Sequence, residues 1–438
     1  MIKTKHGRGR WLAGAAVAAA LAAVGAEAAP PTTRITGAYQ PGWSTAHADS
    51  ANSDYVDVRG AADLTLAWKR EFPGGMINLG ATTDGAGRVY VTTSAPGCRL
   101  YVLDRATGET IWCAEDLDRM AVSSSPLLDR DGRIFLADGT AMRAYDRDGK
   151  VLWKTPIVGA PLSAQFTPAG NLLFITHIGR VYVLRRDDGR AILPPLELIP
   201  GATFDPAKGA MACMRGLPEC PSANTPAIDA RGNIYFTFWT PGAANAGVRA
   251  MRLKEGKRPS LTPLWTNDAL PGGSAASPDL SLDGKRLYLT DNGGGLQALD
   301  TATGKTIWRF PLGHESGGSV SSSPGGLIMP SGGGGGVLLA VQDRGDKAEL
   351  LWRHDDQVNR GLPPQTGNGL AYATVSTGQG ENDLVVVEAA TGVERDREHL
   401  PGRTLFSVGT TIDQDGTVYV PTIRGQLFAY RPAAPAPK

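Results

Sequence analysis

Residues 100–115 read LYVLDRATGETIWCAE: an apolar strand, a turn of the form Asp-x-x-Thr-Gly, and a second strand closing on Trp112. The phrase returns at 142–153 (MRAYDRDGKVLW), 296–310 (LQALDTATGKTIWRF) and 338–352 (LLAVQDRGDKAELLW), and in shortened form at 64–68 (LTLAW) and 259–265 (PSLTPLW). Two further copies have lost the tryptophan: 181–193 (VYVLRRDDGRAIL) puts Leu193 in its place and 385–396 (VVVEAATGVERD) puts Asp396 there. The closing positions 68, 112, 153, 193, 265, 308, 352 and 396 are spaced 44, 41, 40, 72, 43, 44 and 44 residues apart. A period just over 40 residues is that of four-stranded propeller blades.

Each unit opens on small residues (VSSSPLLD, SAQFTPAG, SANTPAID, SAASPDLS, SVSSSPGG), passes through a β-rich run such as GRIFLADG or GNIYFTFW, and ends on the Trp phrase. These are strands A to D of a blade. The last unit, 410–432, supplies three strands and stops, whereas LTLAW near the start is an orphan fourth strand. The expectation is an all-β, eight-bladed β-propeller of four-stranded antiparallel blades, with seven blades as the alternative. Pairing of the N- and C-terminal segments closes the ring and removes the exposed sheet edges.

Residues 1–28 carry Lys3, Lys5, Arg8 and Arg10, then an apolar run, then Ala26-Glu27-Ala28, the pattern of a cleaved secretory signal. No Cys stands near the cleavage site for lipid attachment, and Gly9 separates the two arginines of a would-be twin-arginine signal. Periplasmic or secreted localisation follows, with no transmembrane segment after cleavage. Loss of four cations and one anion takes the net charge from +1 to −2. With no basic block along the chain, nucleic acid is excluded as a partner. The remaining segments are a strap at 29–61, a propeller at 62–432 and a disordered tail at 433–438; a monomer is expected.

Four cysteines in an exported chain predict two disulfides. Cys98 and Cys113 lie opposite each other on one hairpin, and Cys213 and Cys220 close the loop CMRGLPEC. That loop sits in the 72-residue interval, in an insertion at about 194–222. Neither pair has metal-ligand spacing, and no haem attachment motif occurs.

The repeated Asp-x-x-Thr-Gly-x-x-x-Trp phrase with small-residue A strands resembles the quinoprotein-type repeat of pyrroloquinoline-quinone (PQQ) dehydrogenases, which also builds the propeller of the BamB family of outer-membrane assembly lipoproteins. The opening segment 42–56 (GWSTAHADSANSDYV) resembles the start of many such propellers and is read as a strap across the bottom of the ring. The resemblance implies the fold; the repeat serves enzymes, scaffolds and sensors alike. The chain departs from the dehydrogenase pattern in having no adjacent cysteines and no haem domain, and from the lipoprotein pattern in lacking the N-terminal Cys.

In a propeller the B-to-C and D-to-A loops share the face around the central funnel, where ligands sit. The B-to-C loops bring Asp138, His177, Trp239, Asp291, Asn292 and Arg424 there; the D-to-A loops add Asn78, Arg119, Gln165, His314, Glu315, Asn359, Arg360, Gln365 and Arg403. A carboxylate beside an arginine suits a general base and a tryptophan suits stacking under a flat cofactor, but the same residues also cap turns and pair charges. The tips DRDGR (129–133), DRDGK (146–150) and DQDGT (413–417) lack the further oxygen ligands of a calcium loop. His314-Glu315 lacks a second histidine for zinc, and the glycine run 332–336 lacks the Lys-Ser/Thr of a phosphate loop. The reading is a non-catalytic propeller that binds a protein, glycan or small molecule at its loop face, with no cofactor or metal expected. The alternative is a PQQ-dependent alcohol dehydrogenase with calcium.

Overall fold

The computed structural model describes residues 34–205, 209–222, 224–316 and 318–433. The expected leader and positions 434–438 lie outside the described residues; Ala433, expected in the tail, donates its N–H to Asp63 O at 3.0 Å and so belongs to the last blade.

Eight sheets of four antiparallel strands form a closed ring. Blade 1 runs Thr82–Thr83, Arg88–Thr92, Leu100–Asp104, Thr110–Ala114, and blade 2 Leu127–Leu128, Ile134–Ala137, Ala141–Tyr145, Val151–Pro156. Blade 4 ends on Ala246–Lys254 and Ser260–Leu270, blade 5 on Gly295–Asp300 and Thr306–Pro311, blade 6 on Val337–Asp343 and Ala348–Val358, and blade 7 on Glu381–Glu388 and Glu394–Leu400. Blade 8 joins Thr411–Ile412, Val418–Thr422 and Gln426–Pro432 to the N-terminal Leu64–Glu71, with Trp68 opposite Ala429. In blade 3 the fourth strand is Leu196–Glu197 rather than the run ending at Leu193. Pro194 and Pro195 have no N–H to give the ladder, so pairing breaks after Ile192 and resumes beyond them.

The Trp phrase works between neighbouring blades. Each of the six tryptophans stands just after a bulge in its strand D, and five of them lay the ring on the glycine of the next blade's C-to-D turn, whereas Trp308 donates its indole N–H to Asp343 Oδ1 at 3.1 Å. A Cβ at Gly108 would stand 2.7 Å from the Trp68 ring, at Gly149 2.8 Å from Trp112, at Gly304 2.4 Å from Trp265 and at Gly392 2.6 Å from Trp352. The same turn accepts the indole N–H: Trp68 donates to Arg105 O, Trp112 to Arg147 O, Trp153 to Arg186 O, Trp265 to Thr301 O and Trp352 to Ala389 O, all within 2.8–3.0 Å. One of the two missing tryptophans follows from this. Blade 7 faces blade 8, whose strands C and D are not joined by a turn, and Asp396 instead accepts the N–H of Leu64 at 2.7 Å. Between blades 3 and 4, Glu255 of the C-to-D turn accepts from Thr167 and Asn171 at 2.9 Å.

The segment from Trp43 to Val56 is sewn to the inner strands. Carbonyls of Trp43, Ser44, Ser50, Ala51, Ser53 and Asp54 accept from the N–H groups of Thr83, Leu128, Ile228, Leu280, Ser322 and Gln365, one per blade, at 2.7–3.0 Å. Gln165 of blade 3 donates to Asp49 O, and Tyr55–Val56 adds a parallel fifth strand to blade 7. These contacts fall where strand A meets the A-to-B turn, so the segment closes the funnel opposite the loop face. Its Ser44, Thr45, Ser50, Asn52, Ser53 and Asp54 are almost fully buried.

Candidate functional site

The loop face is divided by the insertion. Leu198 N–H donates to Gly179 O, Phe204 packs edge-on to His177 with ring centroids 5.2 Å apart, and Pro221 O accepts from Trp239 N–H at 2.7 Å. The helical turn Gly209–Arg215 follows, and the Cys213–Cys220 disulfide pins it into an apolar cluster with Leu162 and Ala212. Beyond it, Arg215 O accepts from Asn292 Nδ2 at 2.8 Å, and Gly216 packs on the Ser274 backbone, where a Cβ would come within 2.1 Å of its carbonyl carbon. The insertion therefore covers the mouth over blades 2 to 5 and leaves the sector of blades 6 to 8 open. Both expected disulfides, Cys98–Cys113 and Cys213–Cys220, are formed.

The sequence candidates fall into three groups. Asp138 and Asp291 are buried structural carboxylates. Asp138 pairs with the buried Arg143 guanidinium at 2.8 Å and accepts N–H bonds from Asp118, Thr140 and Ala141. Burial works against its charge, yet those hydrogen bonds outweigh it and hold the carboxyl below its ordinary range. Asp291 accepts from Gly295 N, Gln297 Nε2 and Arg309 Nη2 at 2.7–3.0 Å. Neither is left free to act as a base or to ligate a hard cation.

His177, Trp239 and Asn292 form the second group, which lies under the insertion. His177 Nδ1 accepts from Ala160 N at 3.1 Å, and burial lowers its pKa. The Trp239 indole donates to Ala243 O, and its ring edge packs on Gly273, where a Cβ would stand 2.6 Å away.

The third group lies in the open sector: His314, Glu315, Asn359, Arg360, Arg403 and Arg424. His314 folds against Gly336 of the glycine run, its Nε2 buried without a hydrogen-bond partner among the described residues, and burial lowers its pKa. Asn359 is buried and holds Pro330 O and Gly361 N. Glu315, Arg403 and Arg424 are exposed and Arg360 is partly so. The sequence placed fifteen residues on one face; the structure distributes these eleven among core, covered and open positions and sets Gln165 and Gln365 against the strap. It also adds Leu405, 36% exposed with φ 63°, and Gln379 with φ 53°, residues whose backbone conformation leaves no compositional signal.

Among the described residues, one set of three His, Cys, Asp or Glu ligand atoms gathers within 4.8 Å of one another: Cys98, Cys113 and Glu115. Its two sulfurs are joined to each other. The calcium-like tips use their carboxylates locally: Asp129 caps the N–H groups of Asp131 and Arg133, and Asp146 those of Asp148 and Lys150. On the opposite face, two clefts of about 270 and 570 Å³ flank the strap and share Ile35, Thr36, Gly42 and Asp49. Their charged pair, Arg34 and Asp49, is closed on itself at 2.9 Å.

The profile of the family described as outer membrane protein assembly factor BamB matches residues 54–193 and 254–434. Protein Rv3035 of Mycobacterium tuberculosis is 30% identical over 399 residues, covering 89% of this chain and 96% of that protein. Among solved structures, BamB from Moraxella catarrhalis superposes with TM-score 0.56 at 17% identity, covering 84% of this chain and 99% of that one. Quinohemoprotein alcohol dehydrogenase from Comamonas testosteroni gives 0.61 at 15% identity, covering 91% and 82%. At these identities both structural likenesses concern the fold alone.

Proposed function

The chain belongs to the family of the outer membrane protein assembly factor BamB, and from that premise we propose that it is an exported, non-catalytic propeller that captures a partner through its loop face. One observation carries the reading: three of the groups on that face that could do chemistry are held by structural partners, Asp138 by Arg143, Asp291 by Arg309, and His177 by Ala160 and Phe204. What remains accessible is a rim of arginines and a glutamate on short loops over a rigid scaffold, the arrangement of a recognition surface. The two disulfides support action in an oxidising compartment.

The related alcohol dehydrogenase fold raises quinone chemistry as the competing reading. The pairing of Asp138 with Arg143 and of Asp291 with Arg309 speaks against those carboxylates holding a calcium ion beneath a quinone on this face. Photo-crosslinking in the producing cell tests the proposal, with a benzophenone side chain placed at Arg424 on the loop face, at Gln414 beside the strap, or at Lys154 on an outer strand. Discrete adducts from position 424 and none from 414 or 154 are expected. Adducts from 414 with none from 424 overturn the loop-face reading.

A further inference from the structure

We propose that the open sector, where blades 7 and 8 meet, is the docking surface for an acidic protein segment that also presents an apolar side chain. This deepens the loop-face reading and rests on it. Four loops are knitted into one surface there by backbone bonds. Ser407 N–H donates to Arg360 O at 2.8 Å, Ile423 N–H to Phe406 O at 3.1 Å, and the N–H groups of Thr404 and Leu405 both reach Gly380 O at 2.9 Å.

On this surface stand Arg360, Arg403 and Arg424, and among the described residues none of the three guanidiniums has an ion pair or a side-chain hydrogen bond. The contrast with Arg143, Arg309 and Arg397, each closed on an aspartate within 2.8–3.1 Å, is sharp. Glu381 is the acid on the same loops, so the sector is cationic on balance. Leu405 lies among the arginines in a left-handed conformation, φ 63°, that a leucine adopts only when its surroundings impose it. Asn382 imposes it by donating to Leu405 O and Thr404 Oγ1, and Gly380 makes room, since a Cβ there would stand 2.8 Å from Leu405 Cδ2. Of the six non-glycine residues with positive φ among the described residues, Ala48, Asn52 and Asp54 belong to the strap and Ser163 is buried, whereas Gln379 and Leu405 both fall in this exposed patch. An apolar side chain on loops that also carry three arginines without ion pairs matches the composition of interface hot spots. The missing acids are the partner's.

The test uses fluorescence anisotropy with a labelled peptide of repeated Glu-Glu-Leu and a neutral control of repeated Gln-Gln-Leu. The native protein is expected to bind the acidic peptide saturably and more weakly as salt rises, and the neutral one far more weakly. The variant R360E/R403E/R424E should lose at least about tenfold in affinity, R360Q/R403Q/R424Q should lose less, and both should melt like the native protein. No saturable binding by the native protein, equal binding by the reversed variant, or tighter binding of an oligothymidylate overturns the proposal. Hydrogen exchange on the complex separates this claim from the broader one. Protection at 402–407 and 422–425 supports the sector; protection over the insertion overturns the sector and leaves the loop face; protection at the strap overturns both.

Discussion

At the scale of single residues, burial rather than loop position decides what a polar side chain does here. Asp138 and Arg143 are each about 1% exposed, and removing Arg143 leaves Asp138 buried without its ion pair and Asp116 without its guanidinium partner. Arg143→Met should therefore cost about 3–5 kcal/mol in chemical denaturation. Gly149 has φ 91° beneath the Trp112 ring, whereas Gly97, φ 85°, has open space around it. Both alanine substitutions strain the backbone, but only Gly149→Ala also meets the ring, so it should be the more destabilising by about 1–3 kcal/mol. Asp279 lies fully buried between blades 5 and 6, and its oxygens lack hydrogen bonds of normal geometry although Ser322 is near. Burial raises its pKa well above the ordinary value, Asp49 and Asp54 add to the rise, and Ser322 and Arg34 oppose it. A carboxyl that holds its proton more tightly when folded contributes most below its unfolded pKa of about 4, and that contribution is lost as pH rises through the folded value. Asp279→Asn should thus gain melting temperature over the native protein at pH 7.5, with the gain vanishing near pH 4; equal differences at both would refute this.

At the scale of elements, the repeat made the fold legible and the single-copy segments hid the rest. Eight comparable phrases expose their own period, and the orphan LTLAW and the three-stranded last unit announce that they belong together. Even one absent tryptophan carried information, since Asp396 faces blade 8, which lacks the turn on which a ring would lie. No such internal comparison exists for the strap or for the insertion, whose contacts reach blades distant in sequence. Hence Asp138, His177 and Asp291 looked like funnel residues by loop position, although one lies under a cover and two are charge-paired in the core. Deletion through Trp68 removes both the strap and the last outer strand, and should replace a cooperative melt by aggregation or a broad transition. A truncated chain that melts like the intact one would contradict this closure. The Cys98–Cys113 bond closes a 15-residue loop, so the double serine variant should lose about 3 kcal/mol.

At the scale of the whole molecule, the ring is a scaffold sealed on one side by its own N-terminal segment and half-covered on the other by its insertion. On the proposed reading, short loops and an arginine rim serve recognition, while Asp138 and Asp291 serve the scaffold through their arginine partners. The most direct measurement incubates the purified protein with PQQ and calcium, desalts it, and follows quinone absorbance together with dye reduction driven by primary alcohols. The account predicts no retained quinone and no alcohol-dependent dye reduction above buffer. Stoichiometric retention of the quinone with alcohol-dependent dye reduction, abolished by Asp291→Ala, would contradict it.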